Sequence, residues 1–310
     1  MRIAALDAAR GAALLAMAVY HLGWDLSALQ LIAVDVARLG PWQIAARLIA
    51  GTFLALAGVG LVLAHGREVR WRAFLRRLAL VGGAALLVTL TTLVVVPQGF
   101  IYFGILHCIA ASSVLALPFL RRPAWVSAAA AVLALAAGNL VSVPALSAPW
   151  LLPLGLGTSV PASNDYVPLL PWFGCMLAGV AAARLGRGVL LRSSGWRPRG
   201  RLGRTLALAG RHSLAVYLLH QPVLLAVLVP VSWALGPGPG AAAAGFKGSF
   251  TRSCEAAGVA PEACRAVLAC TLARVEGTEP WARLHLGHSE DERFVRDAAR
   301  ACYAERFAAP

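Results

Sequence analysis

Three hundred and ten residues that are 59% hydrophobic and 14% charged, with a mean hydropathy of +0.71, carry too little polar surface to cover a water-soluble globule of this length. The composition excludes disordered and coiled-coil classes as well, and apolar runs of about 20 residues point to membrane-spanning helices rather than barrel strands of roughly ten. The net charge of +14 lies wholly in residues 1–236, because residues 237–310 hold nine basic and nine acidic groups; Lys247 is the only lysine, so that charge is arginine.

Arginines cluster at Arg2 and Arg10, at Arg67, Arg70, Arg72, Arg76 and Arg77, at Arg121 and Arg122, and from 184 to 211. Basic loops alternating with uncharged ones are what the positive-inside rule produces, so the charge reads as topology and not as nucleic-acid binding. The predicted spans are residues 11–32, 43–64, 78–96, 104–120, 124–143, 169–183 and 213–235. The expected fold is all-α: a polytopic transmembrane helix bundle of about seven spans with a small cysteine-containing helical tail. Its expected domains are a membrane domain over 1–235, a Gly/Pro/Ala linker over 236–245 and an extracytoplasmic tail over 246–310. Trp24, Trp42, Trp150, Trp172 and Trp233 fall toward the outer side and Trp71 and Trp125 toward the inner, as an aromatic belt requires. Residues 144–168 read as an outer loop, a re-entrant segment or part of a further span.

The first apolar run is span-length and lacks an A-x-A cleavage site, so it is expected to stay attached, with the N-terminus cytoplasmic in a bacterial-type inner membrane. Seven spans then place the tail outside. Its cysteines, Cys254, Cys264, Cys270 and Cys302, suggest two disulfides in that oxidising compartment, with three connectivities open. Residues 261–275 and 289–307 read as helices of a disulfide-stapled hairpin, the second opening on Ser289-Glu290-Asp291-Glu292. A metal site using cysteine with His285 or His288 lacks ligand spacing, so no metal is expected. Cys108 and Cys175 read as small buried apolar groups, and His65 as a loop residue.

Ionisable groups inside an apolar span need a partner or a purpose. The first span has Arg10 at its cytosolic mouth, His21 near mid-membrane and Asp25 beyond it. Arg10 and His21 are eleven residues apart, about three turns and roughly 16 Å of rise, so they share one face. Asp25 follows His21 by one turn, within reach to hold an imidazole tautomer directly or through water. Asp7 precedes Arg10 by a turn. Elsewhere His107 begins the fourth span, and His220 sits with Gln221 and Pro222 in the seventh, either of them able to complete a site. Arg76, Arg77, Arg211 and His212 lie at the cytosolic rim. Gly-rich phosphate loops and Gly-x-Ser-x-Gly elbows are absent from the sequence.

The run Leu6-Asp7-Ala8-Ala9-Arg10-Gly11 followed by His21 resembles the R-x10-H opening of the acyltransferase-3 family. The longer stretch 5–26, ending His21-Leu22-Gly23-Trp24-Asp25-Leu26, is similar to the bacterial uncharacterised family grouped with the catalytic domain of heparan-alpha-glucosaminide N-acetyltransferase. Phe103-Gly104-Ile105-Leu106-His107, Leu170-Pro171-Trp172-Phe173-Gly174 and the segment 210–222 carry the same resemblance, which covers roughly residues 1–235. It implies transfer of an acetyl or other acyl group from cytosolic acetyl-CoA (acyl-CoA) to an outer hydroxyl or amine, a sugar or amino sugar among the acceptors. Arg10, with Arg76, Arg77 and Arg211, would bind the donor phosphates; His21 would act as general base or acyl carrier with Asp25 orienting it; His107 and His220 would contact the acceptor. In the heparan-type branch the catalytic histidine follows the first span, whereas residues 23–42 here hold none, so the role of His21 comes from the acyltransferase-3 pattern. A proton-coupled transporter using an intramembrane His/Asp relay, and an anchored scaffold whose tail captures a partner, are the rival classes. Lipid is the expected surrounding partner; oligomeric state is left open.

Overall fold

The computed structural model describes residues 3–186, 188, 195–236, 241–284 and 288–307. Among these the regular structure is helical and without a strand. Eight helices come first: α1 (Ala4–Ala28), α2 (Gly40–His65), α3 (Trp71–Val95), α4 (Ile105–Leu115), α5 (Ala124–Leu140), α6 (Leu169–Leu185), α7 (Gly200–Arg211) and α8 (Ser213–Leu235). The tail adds α9 (Ala241–Ala256), α10 (Pro261–Val275), α11 (Glu279–Arg283) and α12 (Ser289–Phe307). All seven apolar runs are thus helical. α2, α3 and α8 are long and apolar enough to cross a membrane; α4, α5 and α6 are apolar but shorter. On α3, Leu80, Leu86, Leu87, Leu90 and Val94 are all exposed, a surface that lipid accepts and water does not. This is a membrane protein.

Hydropathy misplaces some helix ends. α3 begins at Trp71 rather than 78 because Arg72, Arg76 and Arg77 extend the helix beyond the apolar run, and arginine is a good helix former. α1 likewise starts at Ala4. Residues 141–168 contain only short 3-10 turns, Pro144–Ser147 and Leu152–Leu154, so no further span lies there. α9 starts inside the 236–245 stretch, where a run of alanines outweighs the neighbouring glycines. His65 is no loop residue: it closes α2, is buried, and its Nδ1 accepts the Arg70 backbone N–H.

The chain forms two compact units, Met1–Ala18 with Ile44–His220, and Val19–Gln43 with Gln221–Pro310. In the first, the core gathers Leu54, Leu61, Phe74, Cys108, Met176 and Val180 from α2, α3, α4 and α6. Helices here meet backbone to backbone. A Cβ on Gly58 of α2 would strike the Met176 carbonyl, and one on Gly179 of α6 the Ala55 carbonyl. α6 meets α5 where a Cβ on Gly174 would lie 2.8 Å from Ala131 O, and α1 meets α7 at Gly11 beside Leu206 and at Gly210 beside Asp7. Lipid offers no hydrophobic gain for helix association, so close approach at glycine, with its dispersion contacts, supplies the adhesion.

In the second unit, α10 and α12 pair around buried Val267, Thr271, Val275 and Val295. The disulfides are Cys254–Cys264, joining α9 to α10, and Cys270–Cys302, joining α10 to α12. Each contributes about 3 kcal/mol in the chain-entropy picture, more than the exposed ion pair of Arg274 with Glu305. α11 opens on a side-chain cap, Thr278 Oγ1 accepting the Trp281 N–H at 3.4 Å.

The glycine crossings make a direct expectation. Gly179→Ala should lower unfolding stability by roughly 2 kcal/mol or more, because the obstructing atom is backbone and cannot rotate away. Gly82→Ala, with open space around it in α3, should be neutral or stabilising by up to about 1 kcal/mol. Thermal unfolding in detergent compares the two.

Candidate functional site

α1 turns a polar stripe away from the lipid-like surface. Asp7, Gly11, Leu14, Met17 and Asp25 are buried, whereas Leu15 and Val19 are 52% and 53% exposed. At about 100° per residue, Arg10 and His21 fall in the buried arc with Leu14 and Met17, and both are partly covered. Asp7 lies within that arc, and its Oδ1 holds Arg10 Nη1 at 3.3 Å.

Arg10 is met by a second guanidinium. A Cβ placed on Gly60 of α2 would lie 2.8 Å from Arg10 Nη2 and 3.6 Å from Arg77 Nη1, so side chains from α1 and α3 converge over one residue that has none. Among the described residues Asp7 is the acid paired with Arg10, and two guanidinium groups against one carboxylate leave positive charge suited to an anion. Arg211 belongs to the same end of the first unit, since Gly210 before it packs on the Asp7 carbonyl. Arg76, Arg77, Arg211 and His212 are exposed.

Asp25 is 1% exposed, and its Oδ1 accepts a 2.7 Å hydrogen bond from Gln221 Nε2. The remaining Asp25 Oδ2 and Gln221 Oε1 are buried without a hydrogen-bond partner among the described residues. Two adjacent acceptor oxygens shielded from water are costly unless a donor arrives. Spacing along the sequence does not single out Gln221 as a site residue. Its signal is an amide beside His220 in a mostly apolar 23-residue helix. His21 lies edge-on to Tyr20 at 5.4 Å, and Tyr20 stacks on Trp42, whose indole occupies the space left by Gly23.

The histidines of α4 and α8 are held in different tautomers. His107 Nδ1 accepts the Gly104 N–H at 3.3 Å, and Nε2 lies 3.3 Å from Thr89 Oγ1. The Thr89 hydroxyl gives its proton to Ile101 O, so His107 must donate from Nε2. His220 contacts the Tyr217 carbonyl through Nδ1, which fixes the proton there and leaves Nε2 as the basic nitrogen. Eighteen residues before His107 on the chain, Thr89 sits twelve residues along α3 from Arg77, about 18 Å of helix rise.

An unforeseen carboxylate completes the N-terminus of α4. Asp165, from the loop before α6, accepts the Ile105 N–H at 3.1 Å through Oδ2 and fills the space beside Gly104. Burial pushes its carboxyl up to about 6 against the lowering effect of the Ile105 bond. Its partner lies sixty residues away, beyond any local spacing rule. Among the described residues no group of three or more His, Cys, Asp or Glu could hold a metal, and His285 lies outside them.

Apolar helices with lipid-compatible outer faces, three of them long enough to cross a bilayer, define an integral membrane protein. Residues 2–222 match the family heparan-alpha-glucosaminide N-acetyltransferase, catalytic, and the chain belongs to it; it is a membrane acetyltransferase-like protein. No curated protein and no solved structure matches the chain. The match takes in α1 to the first turns of α8 and stops short of the tail helices.

Asp165 carries a pH expectation. A carboxyl raised by burial favours its neutral form in the fold, so its contribution to stability is complete below the ordinary carboxylate range and is lost as pH rises through about 6. Asp165→Asn should abolish that fall and gain roughly 2–3 kcal/mol at about pH 8, as read from melting temperature against pH.

Proposed function

We propose that the protein transfers an acetyl (acyl) group from cytosolic acyl-CoA to a hydroxyl or amine, carried by a sugar, on the extracytoplasmic side of the bacterial inner membrane. The convergence of Arg10 and Arg77 over Gly60 carries this reading. Two like charges beside one another repel until an anion joins them, and the phosphates of coenzyme A supply that anion. Arg76 and Arg211 add positive charge at the rim. From there the pantetheine arm follows the polar face of α1, and His21 lies about 16 Å along it from Arg10.

His21 then acts in one of two ways. It takes the proton of the acceptor as general base, or it receives the acyl group as an acyl-imidazole and passes it on. Asp25, fixed by Gln221, is the polar partner one turn further and orients the reacting groups. His107 and His220 face the acceptor: the first as a donor held by its own hydrogen bonds, the second through a basic Nε2. The two disulfides support an extracytoplasmic tail, because such bonds persist in oxidising compartments, and a cytoplasmic N-terminus follows from the seven-span count. Family membership supports acetyl-CoA as the donor.

Purified protein should bind acetyl-CoA, and Arg10→Ala or Arg77→Ala should each weaken binding by about tenfold or more, with the loss reduced at high salt. His21→Ala should retain donor binding while transfer falls by at least about a hundredfold. Calorimetry and a radiolabelled transfer assay measure the two effects. Folded protein that binds no coenzyme A, or that moves a solute without consuming donor, overturns the reading.

A further inference from the structure

The family match ends at residue 222, yet the tail is built together with the outer part of α1. Residues Val19–Gln43, which include His21 and Asp25, share one compact unit with Gln221–Pro310. The fastening is specific. Gly245 of α9 lies against the Gln30 side chain, where a Cβ would sit 2.8 Å from Nε2. Two turns on, Arg252 Nη1 is 3.7 Å from Asp35 Oδ2, and Gly248 leaves room beside the same carboxylate.

Gln30 is the strained point of this region. α1 ends in a Schellman turn, with Leu31 N–H donating to Leu26 O at 2.9 Å and Gln30 N–H to Ser27 O at 3.1 Å. The left-handed position of that turn ordinarily holds glycine or asparagine, but here Gln30 occupies it at φ 57°. A side chain stays in such a conformation when its surroundings hold it, and α9 is what lies on this one.

Beyond the short 257–260 connection, three links among the described residues tie α9 down: the Cys254–Cys264 disulfide to α10, Lys247 to Glu276 at 3.6 Å, and Phe246 edge-on to Trp281 at 5.4 Å. Lys247 and Glu276 are about half exposed, so that ion pair contributes little, and one aromatic contact is a weak constraint. The covalent link dominates. We propose that the Cys254–Cys264 disulfide is a redox latch that clamps α9 on residues 29–36 and thereby fixes the outer end of α1. A dithiol reductant opens it by exchange: two electrons and two protons pass to Cys254 and Cys264, which become thiols, while the dithiol closes into its own disulfide. α9 then loosens, the Gln30 turn relaxes, and the last turn of α1, held by Leu29 N–H on Asp25 O, frays. The latch stands on structure alone; its effect on turnover rests on the roles proposed for His21 and Asp25.

Hydrogen–deuterium exchange of the full chain in detergent tests it. Reduction of the oxidised protein with dithiothreitol should speed amide exchange at residues 29–36 by about tenfold. The Cys254→Ser/Cys264→Ser variant should show the same acceleration without reductant, whereas Cys270→Ser/Cys302→Ser should leave these amides protected. Gln30→Gly, which removes the strain, should blunt the response. Unchanged exchange at 29–36 after reduction of the wild-type chain overturns the proposal, as does equal acceleration on opening Cys270–Cys302 alone. Exchange is read without turnover, so failure of the latch is distinct from failure of acyl transfer, which coenzyme A binding reports.

Discussion

A polar side chain on a helix surrounded by lipid must turn toward protein or toward a ligand, because the hydrocarbon offers it no partner. α1 is organised around that constraint. Its lipid-compatible residues, Leu15 and Val19, share one side, while Asp7, Arg10, His21 and Asp25 keep to the covered arc. Each of the two carboxylates on this helix has a named partner, Arg10 for Asp7 and Gln221 for Asp25. The helix is consequently both a structural member and the bearer of the candidate chemistry, so substitutions on its covered face should disturb packing and function together.

The rest of the fold serves to bring other groups to that face. Glycines at Gly11, Gly58, Gly179 and Gly210 let backbones touch, and at Gly60 the missing side chain makes room for two guanidinium groups. Substituting Gly60 would therefore move Arg10 and Arg77 without touching either. In the second unit the economy is different. Its tail helices α9 to α12 carry mixed polar surfaces, so disulfides supply the cohesion that a small core of Val267, Val275 and Val295 lacks.

Much of the architecture was legible in the sequence. The seven apolar runs are all helices, and α10 and α12 have the limits that their cap and apolar pattern indicated, 261–275 and 289–307. Arginine-bearing turns at the starts of α1 and α3 escaped because hydropathy is blind to a helix that continues into water. The Cys270–Cys302 pairing, the meeting of Arg77 with Arg10, the bond of Gln221 to Asp25 and the capping of α4 by Asp165 all join residues distant in the chain. Helical periodicity assigns a face to each residue, but only packing decides which faces meet. Gln30 is the opposite case: a local propensity argued for glycine, and a tertiary contact with α9 overrode it.

In the proposed reading Arg10 of α1 and Arg77 of α3 jointly receive the acyl donor. A photoreactive acetyl-CoA analogue, cross-linked to the purified full chain and mapped by peptide mass spectrometry, addresses it most directly. Label in residues 4–28 and 71–95 that unlabelled coenzyme A displaces is the predicted result. Label confined to other helices, or undiminished by the competitor, would contradict the account.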